Sequence, residues 1–118
     1  MELISPPNKS APDSEREVLE KIAEYFRIFA EPTRLAVLQV LKEGELSVGG
    51  LVSRLGTSQA NISKQLKILY DAEIVYRERR GNQVIYSIRD QIVFPLCELV
   101  CESLNQRSKR LQDVDFSI

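Results

Sequence analysis

A chain of 118 residues, 43% hydrophobic and 28% charged, has the size and composition of one globular domain with no room for a second core. Its 16 Lys/Arg and 17 Asp/Glu leave a formal net charge of −1, which excludes a general polycation. Two cysteines, no leading apolar h-region and no apolar run near the roughly 18 residues of a membrane span argue against a disulfide-built secreted fold and a membrane partner, and for the cytoplasm.

Residues 1–13 carry Pro6, Pro7 and Pro12 among polar residues and read as a flexible arm. The folded domain is expected over residues 14–111, followed by a frayed tail over 112–118. A first helix starts near Ser14, where Val18, Ile22, Tyr25 and Phe29 recur at helical spacing. Leu19, Ala23 and Phe26 widen that stripe, which predicts burial on two sides. A second helix opens at Pro32, a good first-turn residue, and stops at Gly44. Ser47 can cap a third helix that ends at Gly56.

Thr57 or Ser58 can cap a fourth helix. Ile62, Leu66 and Leu69 point its apolar side inward and leave Gln59, Ala60, Asn61, Ser63, Lys64 and Lys67 largely outward. Ile74–Arg79 and Val84–Ile88 are β-rich runs around a Gly-Asn turn, the signature of a hairpin packed by Tyr76 and Tyr86. The last helix begins near Phe94-Pro95 and runs to about Leu111. Its apolar residues cover most of its circumference, so it calls for a partner helix, most simply its own copy across a two-fold axis. The predicted class is mainly α with a small β-hairpin, in the order α-α-α-α-β-β-α. That is a winged helix-turn-helix dimerising through its terminal helices.

Charge is sorted along this pattern. From Arg54 to Arg89 seven Lys/Arg face three Asp/Glu, whereas the rest of the chain holds nine against fourteen. A basic face on an acidic body fits a DNA binder that avoids polyanions elsewhere.

The residues Phe29-Ala30-Glu31-Pro32-Thr33-Arg34-Leu35-Ala36-Val37-Leu38, followed by Ser58-Gln59-Ala60-Asn61-Ile62-Ser63-Lys64-Gln65-Leu66-Lys67-Ile68-Leu69, closely resemble the ArsR-type winged-helix regulators. The likeness covers roughly residues 18 to 105. It implies a homodimeric repressor that binds double-stranded DNA at a palindromic operator and lets go when an inducer binds. Many metal-sensing members of that family carry a Cys-x-Cys pair at the start of the third helix; here Ser47 and Gly49 stand in those places, and neither is a soft-metal ligand. Others bind zinc between the terminal helices through Asp, His and Glu, but this chain has no histidine. Neither usual metal site carries over, and no resident cofactor is expected.

On the fourth helix Gln59 and Asn61 can pair bidentately with adenine, and Ala60 can touch a thymine methyl. Ser58, Ser63, Lys64 and Lys67 suit phosphates or guanine. In the hairpin Arg77, Arg79, Arg80 and Gln83 are phosphate or minor-groove candidates. The competing reading of all these residues is a solvated polar face.

Cys97 and Cys101 lie at i and i+4 on the last helix, on one face. One reading makes them a thiol sensor: oxidation, persulfidation, or a thiol-bound metal or metalloid would release the operator. Helical i,i+4 Cβ atoms sit about 5–6 Å apart, beyond disulfide reach, so an intrahelical bond would bend the helix. The other reading is packing, since free Cys is a common buried hydrophobe and the adjoining Glu98 and Glu102 oppose a thiolate. Two alternatives stand beside the sensor: a ligand-independent regulator, and a winged-helix protein-interaction module without DNA binding. An enzyme is not expected, because the chain has no His, no Gly-rich phosphate loop and no paired nucleophile and base.

Overall fold

A computed structural model of the chain describes residues 13–111 and 115–118. The elements are α1 (Asp13–Ile28), α2 (Pro32–Lys42), β1 (Leu46–Ser47), α3 (Val48–Leu55), α4 (Gln59–Asp71), β2 (Val75–Arg80), β3 (Gln83–Ile88) and α5 (Val93–Leu111). The expected order holds, with one addition. β1 is too short to show a period of its own. It becomes a strand because Leu46 pairs with Tyr86 and Ser47 with Ile85, giving an antiparallel sheet in the order β1-β3-β2. The predicted arm lies outside the described residues except for Asp13, where α1 starts.

Caps set the helix boundaries. Glu31 accepts from the Arg34 N–H at 3.0 Å in front of Pro32, and its backbone bonds hold its carboxyl below the usual range against the opposing effect of burial. Ser47 accepts from Gly50 N at 3.0 Å, and Gly56 closes α3 in the left-handed region at φ 67°. The absence of a side chain at Gly50 makes room for Leu46: a Cβ there would sit 2.6 Å from the Leu46 side chain, which would have to shift. Ser58, not Thr57, caps α4 by accepting from Asn61 N at 3.1 Å. Gly81 at φ 62° opens the two-residue turn between β2 and β3, as a type II′ hairpin requires.

The core joins Val37, Leu38 and Leu41 of α2, Leu51 of α3, Ile62, Leu66 and Leu69 of α4, and Val93 and Cys97 of α5. Ile74, Val75 and Tyr86 close it from the sheet, so Tyr86 is a packing residue as expected, whereas Tyr76 is 54% exposed. α1 contributes Tyr25 and Ile28, and Phe29 just beyond it packs on the same core. Tyr25 also donates to Asp90 Oδ2 at 3.2 Å, and Asp90 Oδ1 accepts from Ile92 N at 3.0 Å. One carboxylate therefore ties α1 to the start of α5. Burial, then the charge and hydrogen bond of Asp90, push the Tyr25 phenol up to about 12.

The tail departs from the frayed end expected of it. Residues 112–114 lie outside the described residues, but 115–118 return to the domain. The Asn105 side chain donates to Phe116 O at 2.9 Å and accepts from Phe116 N at 2.6 Å, Lys42 Nζ donates to Ile118 O at 2.8 Å, and Ile118 packs on the core. An amide side chain imitating a strand partner leaves no periodic mark in sequence.

α4 ends on a left-handed residue that is not glycine. Glu73 has φ 62°, its N–H bonds Tyr70 O at 3.0 Å, and Ile74 N bonds Leu69 O at 3.0 Å. This cap turns the chain directly from α4 into β2. A left-handed non-glycine residue costs about 1 kcal/mol, and the exposed 3.6 Å pair between Glu73 and Arg89 offsets little of it. Glu73→Gly is expected to raise the unfolding free energy by about 0.5–1 kcal/mol, read as a higher urea midpoint at unchanged slope. A midpoint at or below that of the parent would mean the strain is absent.

Candidate DNA-binding surface

α3, the turn at Gly56–Ser58 and α4 form a helix-turn-helix, and β2 and β3 stand beside it as a wing. The three inward residues of α4, Ile62, Leu66 and Leu69, are fully buried. Their spacing fixes the opposite face: Gln59, Ala60, Ser63, Lys64 and Lys67 are all exposed, as is the cap residue Ser58. The first turn therefore presents an amide, a methyl and two hydroxyls, with lysines one and two turns on. That is the donor and acceptor set a major groove reads.

Asn61 departs from the outward position expected of it. It is half-buried; its Oδ1 accepts from Gln65 Nε2 at 3.0 Å and its Nδ2 donates to Thr57 Oγ1 at 3.1 Å. Gln65 Oε1 in turn accepts from Arg34 Nη1 at 2.8 Å. The Arg34 Nε and Nη2 donate to Ile28 O at 2.8 Å and Arg27 O at 2.9 Å. Neighbours thus orient the Asn61 amide, which does not turn freely toward a base edge. Reading by helical face missed Arg34 and Gln65 as members of the site. The available signal was Gln65 itself, a polar residue between Ile62, Leu66 and Leu69 in the buried stripe, since such a group needs partners.

The basic residues fall into distinct settings. Lys64 and Arg79 are exposed with no ion pair among the described residues. Lys67 pairs with Asp71 at 3.1 Å across one turn, an exposed contact that a phosphate can replace. The Arg77 guanidinium lies 3.9 Å from the centre of the Tyr70 ring, which holds its plane while leaving its edge for hydrogen bonds. Arg80 differs: Glu45 takes both of its amino groups, at 2.5 and 3.1 Å, and Glu78 accepts at 2.9 Å. These bonds hold the Glu45 carboxyl below its usual range and push the Arg80 guanidinium up. Arg80 therefore links the wing to the α2–α3 connection through exposed pairs that, like that of Lys67, a phosphate can replace, whereas Arg79 lies on the other face of the strand. Gln83 is exposed opposite Arg80 in the hairpin register.

Cys97 is 5% exposed and Cys101 half-buried. Burial pushes the Cys97 thiol up; Lys42 pulls it down, and Cys101 adds to the rise. The acidic neighbours Glu98 and Glu102 are exposed, so opposition to a Cys97 thiolate comes from burial and not from them. Cys101 opens onto a groove of about 780 Å3 between α5 and the docked tail, shared with Leu99, Asn105 and Phe116. Ser47 and Gly49 carry only structural roles, a cap and a helix residue. Among the described residues no three of His, Cys, Asp and Glu gather where a metal could be held, and no helix is long and apolar enough to cross a membrane.

Residues 31–77, from the α2 cap to the start of the wing, match the family described as "Bacterial regulatory protein, arsR family". The chain is similar to the HTH-type transcriptional regulator Rv0081 of Mycobacterium tuberculosis, with 43% identity over 76 residues, 63% of this chain and 67% of that one. The crystal structure of M. tuberculosis Rv0081 superposes with a TM-score of 0.73 at 34% identity, covering 80% of this chain and 96% of that one. The biofilm growth-associated repressor of Xylella fastidiosa is 31% identical over 107 residues, 84% of this chain and 94% of its own length.

Proposed function

This chain belongs to the ArsR family of bacterial regulatory proteins, transcriptional regulators and not enzymes, and we propose that it is a cytoplasmic, homodimeric repressor that binds a palindromic operator through two copies of α4. The observation that carries this reading is the exposed face Ser58, Gln59, Ala60, Ser63, Lys64 and Lys67 on a helix locked to the core by three fully buried residues. Such a helix can enter a major groove without losing its own packing. Arg77, Arg79 and Gln83 on the wing supply the flanking backbone contacts. The order of amide, methyl, hydroxyls and cations along one exposed face favours DNA over a protein partner.

The two-fold arrangement is supported by apolar surface that the single chain leaves open. Val18, Ile22 and Phe26 on α1 are 42, 43 and 60% exposed; Ile92 before α5, and Leu99 and Val100 on α5, are 45, 64 and 48% exposed. These residues are the unused half of the stripes expected to be covered on two sides. Exposed apolar residues gathered on both terminal helices mark a surface suited to a protein partner. To read both halves of a palindrome, the two reading helices of such a dimer must stand about 34 Å apart, one turn of DNA.

Release by a thiol-reactive inducer is favoured by one observation: Cys97 and Cys101 sit on α5, the helix that carries half of this patch, and Cys101 opens on its outer groove. A modification there would alter the packing of the helix that sets the spacing of the two α4 copies. With two thiols per chain, a three- or four-thiolate metal or metalloid site would draw on both protomers.

Four outcomes are expected. Against an operator selected from random DNA, Gln59→Ala should lose about 1–3 kcal/mol of specific binding by anisotropy. Arg79→Ala should weaken all sequences and lower the slope of log K against log salt by about 0.9. Two variants indistinguishable from the parent would remove this face from DNA. Leu99→Glu should turn a dimer into a monomer in sedimentation; a parent chain that is monomeric at every concentration would end the two-fold reading. Cys97→Ser/Cys101→Ser should bind the operator normally yet fail to release it on treatment with oxidant, polysulfide or arsenite, and a double variant that still releases would assign the cysteines to packing.

A further inference from the structure

We propose that Arg34, Gln65 and Asn61 form a positioning relay that fixes the reading angle of α4 against the end of α1, so that Gln65, which cannot itself touch DNA, governs how well the operator is distinguished from other sequences. The proposal rests on the regulator reading above. Gln65 is the one buried polar side chain among the described residues, 5% exposed. It is surrounded by Ile62, Leu66 and Leu69, whose apolar contacts hold α4 to the core but are non-directional and tolerate small slides and rotations. The relay supplies the missing direction.

Its polarity has a single solution. An arginine can only donate. The Arg34 Nη1 donation at 2.8 Å therefore turns the Gln65 oxygen toward α2 and its NH2 toward Asn61. The Gln65 NH2 donation, at 3.0 Å, occupies the Asn61 oxygen and leaves the Asn61 NH2 to donate to Thr57 Oγ1 at 3.1 Å. On its other edge the same planar guanidinium holds Arg27 O and Ile28 O, the last carbonyls of α1. The fork is rigid, so a rotation of α4 about its axis breaks a bond at one end or the other. No buried side-chain polar atom among the described residues lacks a partner, so the relay is complete as it stands. Its two ends are distinct surfaces. One is α1, whose outer residues Ile22 and Phe26 belong to the proposed dimer patch; the other is the turn that begins the reading helix. A shift of α1 at the dimer face reaches the DNA face through these side chains.

The test compares Gln65→Leu with Gln65→Glu. Leucine matches the size and breaks both bonds. Glutamate keeps an acceptor for Arg34, and Asn61 can reverse its amide to donate to Glu while accepting from the Thr57 hydroxyl. The expected result is an operator-to-random affinity ratio lowered on the order of 10-fold in the leucine variant, with the salt slope unchanged, and restored by glutamate. Three results overturn the proposal: a leucine variant with the parental ratio, a parallel loss on operator and random DNA such as a merely structural role would give, or a glutamate variant as impaired as leucine. If Gln65→Leu does not fold, Arg34→Lys takes its place with the first two of these outcomes, because an ammonium cannot span Arg27 O, Ile28 O and Gln65 Oε1 together. Amide hydrogen exchange reads the relay without DNA: the first turn of α4 should exchange faster in the leucine variant while α3 is unchanged, and equal exchange overturns the relay. A parent protein that prefers no sequence would overturn the regulator reading, and the exchange measurement would still decide the relay.

Discussion

Everything at the DNA face depends on how α4 is held. Ile62, Leu66 and Leu69 are fully buried against α2 and α3, and side chains of this size contribute about 1.5–3 kcal/mol each on burial. That packing lets the opposite face carry an exposed amide, hydroxyls and two lysines, none of which would by itself hold a helix in place. It also explains the short elements around α4. α3 needs only eight residues because it is capped at both ends, by Ser47 and by left-handed Gly56, and Gly50 lets β1 approach it. The Glu73 cap then turns the chain into β2, so the wing starts within a few residues of the reading helix.

Against this apolar dock the buried polar chain from Arg34 to Thr57 is an apparent extravagance. Leaving a buried amide unpaired costs about 1–3 kcal/mol, whereas an apolar residue at position 65 would avoid the risk. The chain of donors and acceptors has a property the apolar contacts lack, which is a unique angle. Hydrophobic burial decides that α4 docks; hydrogen-bond direction decides how it is turned. For a protein that reads base edges through one helix, the second quantity is as consequential as the first.

The same division explains what was legible in the sequence. Ser47, Gly56 and Ser58 act through neighbours three or four residues away, and the inward face of α4 is a local period, so helix ends and the DNA face could be read directly. Arg54 to Arg89 could be read as the basic segment for the same reason. What stayed hidden was long-range. β1 exists through pairing with residues about forty positions away, and Arg80 is taken by Glu45 at a separation of 35. Asn61 looked outward because a half-buried position at the edge of a helical stripe is ambiguous until its partner is known, and that partner depends on Arg34 at a separation of 31 from Gln65. The docked tail rests on Asn105 acting in place of a backbone, which no pattern of apolar residues records.

The extent of the family match carries its own physical meaning. Residues 31–77 contain α2, α3, α4 and the first residues of the wing, and leave out α1 and α5. That segment holds the helix-turn-helix, the part a DNA duplex would meet, while likeness to individual relatives runs further, over 84% of the chain for the X. fastidiosa repressor. The helices outside it carry the open apolar patch, both cysteines and the docking site of the tail. Under the reading proposed above, those features serve the two-fold contact and the thiol response. Ser47 and Gly49 show how far the separation goes: they keep the cap and fold of α3 while offering no soft ligand there. Under the reading proposed above, a thiol signal starts at Cys97 and Cys101, outside the matched segment. α1 is joined to α4 through Arg34 and to the start of α5 through the Tyr25–Asp90 bond. These two polar contacts, with the core they flank, link the terminal helices to the reading helix.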